Sequence, residues 1–527
     1  TASGNIKYTN NQNLNITTVA ANTGGNFAGT TNGLDTSATT GKTVDVKVST
    51  GSLTLNSDVT TNTTGNVYLT AVTGISEVAS GTPKITTGTL GMLVTGTGDI
   101  DVNNANLVTT LGAKTASGNI KYTNNQNLNI TTVAANTGSG GNFAGTNIGI
   151  TSANLELTTT SSNAINWNSQ LLTYGGGAVT VVNGGQLSIN ADWAADGAIV
   201  QGGGGTVTIN GNRNITTTAD SVSFISPVTL AGGDLNLDTT AAGVSPAGGA
   251  ITFSSILSGG GNRVSLNAGS AGNLSLVGAA SGISDLTVAN SGNLNAAAMS
   301  ATTIDITAQG LATLGGPVVA GGPVVLRVND LDLQSGISAG TQPVQIRPAT
   351  ITRGITLGAG AAGTLQLSSV ELSRITTSGM FTIGDVTHAG GITINGAIAS
   401  PSAATGGLTL SNSVGGVAIN APMSYVAGAG NLTISANGGG IAAGAITGDG
   451  NDLIFTTNLS LIAGSGIGTI ANPLHVQNPS GTNIAASNVR TGGGATTGDI
   501  SLKHLADGDM RLAGVRNDSV GGKTRLE

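Results

Sequence analysis

The stretch TASGNIKYTNNQNLNITTVAANTG, Thr1 to Gly24, recurs without a single change from Thr115 to Gly138. Both copies run on into a GNFAGT segment, the second after two extra residues, Ser139 and Gly140. Thr1 and Thr115 lie 114 residues apart, which divides into six units of 19. Copies of one module can be added to a chain without rebuilding a core only where each unit stacks on its neighbours, so the duplication predicts a solenoid.

Within and beyond the duplication a shorter pattern repeats: glycine, a polar residue, then apolar, polar, apolar. Gly98-Asp99-Ile100-Asp101-Val102 and Gly118-Asn119-Ile120-Lys121-Tyr122 stand about 20 residues apart, a solenoid period. Leu187 and Ile189 are followed at that interval by Val207 and Ile209, and Gly272-Asn273-Leu274 by Gly292-Asn293-Leu294. Leu432 and Leu453 follow at nearly the same interval. Strict alternation over a few residues means a strand with one face buried and one in water. The flanking Gly, Asn, Asp and Ser are the residues that accept tight turns and left-handed backbone. A sandwich also has short strands, but with hairpin spacings of roughly 8–12 residues. The longer interval fits one coil of two or three strands, each pairing with the coil above. The fold class expected is all-β: a right-handed parallel β-helix of about 19–20 residues per coil. About 26 such coils at ~4.8 Å would extend roughly 120 Å.

Composition agrees. Among 527 residues there are 85 glycines, 8% charged residues and 2% aromatics. A globular domain uses about 25% charge and about 7% glycine. The apolar residues are mostly Val, Ile, Leu and Ala, suited to a narrow core. Mean hydropathy is +0.19, and the apolar residues are patterned, which argues against disorder. No cysteine is present, so no disulfide scaffold supports the chain. The net charge of −7 and the lack of a basic run argue against a nucleic-acid partner. No apolar run approaches the roughly 18 residues of a membrane span. The first methionine is Met92, so Thr1 is expected to lie inside a longer precursor.

Three stretches are expected along the chain: the duplicated region 1–150, a continuing shaft over 151–500, and final strands over 501–527. Six of the eight lysines lie at or before Lys121 and all ten arginines at or after Arg213, which sets the duplicated region apart. One segment breaks the rhythm. Ser368-Ser369-Val370-Glu371-Leu372-Ser373-Arg374-Ile375 opens with a Ser-x-x-Glu capping box and predicts a helical turn inserted near 368–375.

The tandem GNLSL, GGLTL and GNLTI coils resemble the filamentous-haemagglutinin class of large exoproteins exported by two-partner secretion. A more specific likeness is Thr352-Arg353-Gly354-Ile355-Thr356-Leu357-Gly358, followed by Glu371-Leu372-Ser373-Arg374-Ile375 and Phe381-Thr382-Ile383-Gly384-Asp385. The resemblance implies a secreted or cell-surface fibre that serves adhesion, aggregation or biofilm formation. Its implied partners are a host or neighbouring cell surface, matrix polysaccharide or like fibres, with an outer-membrane transporter during export. The conserved secretion domain that begins such proteins is not evident.

No catalytic set and no cofactor is expected. The carboxylate pairs Asp99/Asp101, Asp330/Asp332 and Asp507/Asp509 sit two apart on strands and share a face, as outward positions do without any chemistry. Gly448-Asp449-Gly450-Asn451-Asp452-Leu453-Ile454-Phe455 resembles one calcium-binding nonapeptide, but such sites need stacked copies. His388, His475 and His504 show no metal-ligand spacing, and His388 reads as a turn or surface residue. The Thr206-Val207-Thr208 step belongs to an outward row too mixed for an ice lattice. The candidate ligand site is Arg327, Arg347, Asp330 and Asp332. Pro323-Val324-Val325-Leu326-Arg327 aligns, one interval on, with Pro343-Val344-Gln345-Ile346-Arg347, so the arginines should stand about 5 Å apart on adjacent coils. Either they form a groove for an acidic sugar, or Asp330 or Asp332 neutralises them into a surface ladder. The rival from another class is a polysaccharide lyase or hydrolase on the same fold.

Overall fold

A computed structural model describes residues 4–22, 24–27, 29–79, 83–136, 141–145, 149–399, 404–426, 430–437, 443–477, 483–490, 495–505 and 510–527. Asp507 and Asp509 lie outside these residues. The chain forms two compact units, Thr1–Asn262 with Asn267–Gly272, and Arg263–Leu266 with Asn273–Glu527. Each is a parallel β-helix.

In the first unit, parallel pairing links Leu14, Leu53, Ile75, Ile100, Ile120, Leu155, Val179, Ile199, Val222 and Ile251 into one inward column. A second column runs Leu128, Ile165, Leu187, Val207, Val228, Leu257. A third runs Ile150, Leu171, Trp193, Ile215, Leu237. Three strands thus make one coil, and every residue in these three columns except Leu14 is buried. Pairing passes straight across residue 150, since Ile120 stacks on Leu155. Trp167 and Trp193 fill the interior together, ring centroids 4.9 Å apart.

The partners expected one interval apart, Ile100/Ile120, Leu187/Val207 and Leu274/Leu294, all pair in register. Two expectations need correction. Leu432 does not stack on Leu453; it pairs with Leu459, while Leu453 pairs with Pro422 on another face. The duplication offset is also not six whole coils. Leu14, not Ile6, shares the column of Ile120, four steps away. Ile6 instead leads through Val44, Val67, Leu90 and Leu111 to Ile130. The identical sequences therefore sit on different faces. Ladder hydrogen bonds fix only the strands, so loops can lengthen a coil at small entropic cost. The step from Leu14 to Leu53 is nearly twice as long as that from Ile100 to Ile120.

The second unit begins with bare coils. Leu274, Leu294, Ala312 and Leu331 follow one another in short, nearly even steps. A longer column runs Ile304, Val324, Val344, Phe381, Leu408, Leu432, Leu459, Ile484. Between Val344 and Phe381 the coil expands and starts a new sheet, with Leu365 on Ile355, then Ile392, Val417 and Ile446. The helix Ser369–Ser373 lies in that expansion, and its capping box is formed as expected, Ser368 Oγ accepting from Glu371 N–H. Glu371 Oε1 also accepts from Leu333 N–H at 3.1 Å, which ties the helix to the neighbouring coil.

Asparagine has a second role that the sequence reading missed. Asn124, Asn183 and Asn488 point inward and are fully buried. Asn124 Oδ1 accepts from Val108 N–H at 3.0 Å and its Nδ2 donates to Gln126 O at 2.8 Å. Buried amides satisfy backbone groups that the turning chain leaves unpaired.

Candidate functional site

Arg327 and Arg347 are register partners on adjacent coils of the second unit. Their counter-ions are not Asp330 and Asp332. Arg327 Nη1 pairs with Asp305, and Arg347 Nε lies 2.9 Å from Asp385 Oδ2, off the line a hydrogen bond requires. Asp330 caps the N–H of Leu331 at 3.0 Å and Asp332 accepts from Gln334 Nε2 at 2.7 Å. Strand bulging explains the error. The pairing between Met299–Leu314 and Val324–Leu333 shifts between Ala308 and Leu311, which moves Asp330 and Asp332 onto the next face. Arg263 meets Asp285 at 2.9 Å near the same strip, and Asp285 also accepts from Thr303. A shallow groove beside them is lined by Arg263, Asp285, Thr303, Asp305 and Val325. Each guanidinium thus has its own carboxylate, and the strip is neutral.

His388 is corrected from surface to core. Its backbone does form a turn, but the ring is 1% exposed. Nε2 lies 2.8 Å from the Arg353 carbonyl and Nδ1 lies 3.2 Å from Asn412 Nδ2. Asn412 is itself committed, its Nδ2 donating to Gly390 O and its Oδ1 accepting from Gly416 N–H at 2.8 Å. This wiring assigns the neutral tautomer with the proton on Nε2. Burial lowers the imidazole pKa, opposed by the Arg353 carbonyl and Asp385 and reinforced by Arg347.

A histidine held neutral inside is protonated first in the unfolded chain, below its ordinary pKa near 6.5. Stability should therefore fall as pH drops below that value, no more steeply than about 1.4 kcal/mol per pH unit. Denaturant melts of wild type and His388→Gln at pH 7 and pH 5 check this. The wild type should lose stability relative to the variant on acidification; parallel behaviour would refute it.

The turn Gly448–Phe455 uses its acid internally. Asp452 is buried and accepts from Gly450 N–H at 2.9 Å and His475 N–H at 2.7 Å, with His475 Nδ1 3.3 Å away. Both oxygens are occupied by donors, which leaves the carboxylate poorly placed for calcium. Among the described residues no three His, Asp or Glu side chains gather as metal ligands. His504 pairs in register with Val476 and donates its N–H to Glu527 O. Asp99 and Asp101 are exposed outward, and Asp99 Oδ1 accepts from Asn119 N–H at 2.7 Å. Lys121, in register with Asp101, bridges to Glu156 at 3.5 Å.

One titratable group went unnoticed in the sequence. Glu77 points inward over Leu55 and is 7% exposed. Oε2 accepts from Asn104 N–H at 2.9 Å and Asn106 Nδ2 at 3.4 Å, while Oε1 is buried with no hydrogen-bond partner among the described residues. Burial pushes its pKa up to about 7. No family model, curated protein or solved structure matches this chain.

Proposed function

We propose that the chain is a structural and adhesive segment of a large secreted bacterial surface protein. It would serve as a stiff spacer that holds a binding region away from the cell and supports adhesion, aggregation or matrix formation. The observation that carries this reading is the neutral arginine–aspartate strip: the most ligand-like cations on the coils are charge-paired with Asp285, Asp305 and Asp385 from within. Parallel ladders along each unit and a mainly aliphatic, close-packed interior supply stiffness without disulfides. The haemagglutinin-like segment over 352–385 supports the same reading, and it coincides with the expanded coil and its helix. The proposed partners are a host or neighbouring cell, matrix polysaccharide or like fibres, reached after export through an outer-membrane transporter.

The rival is direct capture of an acidic sugar at Arg327 and Arg347. The Arg327→Ala/Arg347→Ala double variant separates the two. Attachment of cells displaying it should match wild type at low and high salt, and stability should fall by about 1 kcal/mol for the half-exposed Arg327 pair and by more for Arg347, whose loss leaves the largely buried Asp385 without its cation. Loss of attachment with intact display, greater at low salt, would put the binding site on this strip. Depolymerisation of an acidic polysaccharide by the purified chain would instead favour a lyase.

A further inference from the structure

Six successive coils of the second unit each place one charged side chain along one outward face. The strands concerned open at Val264, Ala280, Met299, Val324, Val344 and Phe381, and each pairs with the next. In that order the charges are Arg263, Asp285, Asp305, Arg327, Arg347 and Asp385. On the two coils that follow, the face presents the uncharged Thr409 and Thr433 instead. Charged residues make up only 8% of the chain, so an unbroken run of them sets this strip apart from an ordinary outward ladder. All of these side chains keep some exposure, from 17% at Asp385 to 69% at Arg263. The internal ion pairs also leave room for further contacts, because a guanidinium carries several N–H donors and a carboxylate two acceptor oxygens.

Read along the strip, the signs run plus, minus, minus, plus, plus, minus. Read from the other end they run minus, plus, plus, minus, minus, plus, the opposite at every position. The strip is therefore the complement of its own reverse. Its charges sum to zero, so it offers no uniform field to a polyanion or a polycation. It matches a partner that bears the same order running the other way. We infer that this strip docks on the same strip of a second copy of this chain. The charges drift across the face, from Asp285 in register with Thr303 to Arg327 in register with Thr307. A two-fold axis set across that oblique line, between Asp305 and Arg327, lays one strip on the other in reverse. Arg263 of one copy then faces Asp385 of the other, Asp285 faces Arg347, and Asp305 faces Arg327, each contact occurring twice by symmetry. The internal pairs stay intact and become halves of larger networks. Exposed ion pairs contribute little singly, so the dimer is weak, fixed in register by charge order and sensitive to salt. The inference does not depend on the adhesive reading.

The test is sedimentation velocity of the full chain over a range of concentrations. At low salt a monomer–dimer equilibrium is expected, and raising salt to roughly 0.5 M should weaken it at least about tenfold. Arg327→Asp sets like charges against each other at two symmetry-related points and should weaken the dimer by at least about tenfold. Should that variant fail to fold by circular dichroism, Arg327→Gln, which removes the charge without adding repulsion, should weaken the dimer several-fold. Asp305→Arg/Arg327→Asp exchanges the two central charges. It keeps the internal pair and the complementarity of the strip to its reverse, so the dimer should return. A mixture of exchanged and wild-type chains, differently tagged, should form both homodimers and few mixed dimers, because the carboxylate placed at position 327 then meets Asp305. A role confined to internal neutralisation predicts none of this pattern. A monomer at every concentration, a dimer indifferent to salt, an exchanged variant as weak as Arg327→Asp, or mixed dimers as abundant as homodimers overturns the inference.

Discussion

Ile209→Asp should lower the stability of the first unit by about 4 kcal/mol, whereas Thr208→Asp should cost less than about 1 kcal/mol. The residues are neighbours in one strand, Val207–Asn210, and differ only in the face they present. Ile209 is fully buried between Ile189 and Leu230 of the flanking coils. A carboxylate there would have apolar neighbours above and below and no donor, and a parallel strand cannot rotate it outward without breaking the ladder on both sides. Thr208 sits between Ser188 and Thr229, with its Oγ1 2.6 Å from Gln186 Nε2. An Asp at 208 can accept from that same amide and keep its charge in water. Denaturant melts compared at the transition that reports the first unit measure the difference. Equal midpoints for the two variants would place residue 209 outside the core.

The same alternation decides how much of the molecule could be read in advance. Where nothing interrupts a coil, the interval and the inward phase are both visible, as for Ile100 under Ile120. Where a loop is inserted, strands remain legible but their partners do not. Leu432 and Leu453 each read correctly as strand residues, yet a longer step carries Leu432 past Leu453 to Leu459. The arginine pair was legible because both arginines end the same Pro-Val frame. Its counter-ions were not. Asp305 sits on the coil before Arg327, and Asp385 lies beyond the expanded coil that follows Arg347, so no single period reaches both. The inward asparagines could have been found by extending the period of two: Ile120, Tyr122, Asn124 and Ile484, Ala486, Asn488 keep one phase. Turn propensity masked them. His388 was hidden for the opposite reason, because a turn in the backbone says nothing of where its ring goes.

Glu77→Gln should stabilise the first unit by about 2 kcal/mol at pH 8 and destabilise it by about 1 kcal/mol at pH 4. Ile75-Ser76-Glu77 alternates like any strand here, so the carboxyl falls at a core position, over Leu55. Burial raises its pKa to about 7 from 4.5, partly offset by donors from Asn104 and Asn106 and reinforced by Asp101 and Asp58. Between those two values the folded chain holds a proton that the unfolded chain has released. The contribution of Glu77 to the first unit's stability is therefore greatest below about pH 4.5 and declines as pH rises toward 7, by about 3 kcal/mol in total. Gln keeps an oxygen to accept from Asn104 N–H and removes the charge. Its amide replaces the unpartnered Oε1 and leaves a buried donor, which costs about 1 kcal/mol of the gain. Denaturant melts of both proteins across pH 4 to 8 give the test. The wild-type curve should fall away from the variant's above pH 4.5 and run parallel to it beyond pH 7. Curves that stay parallel throughout would mean that Glu77 titrates in the folded chain as it does in the unfolded one, and that the unpartnered Oε1 is solvated after all.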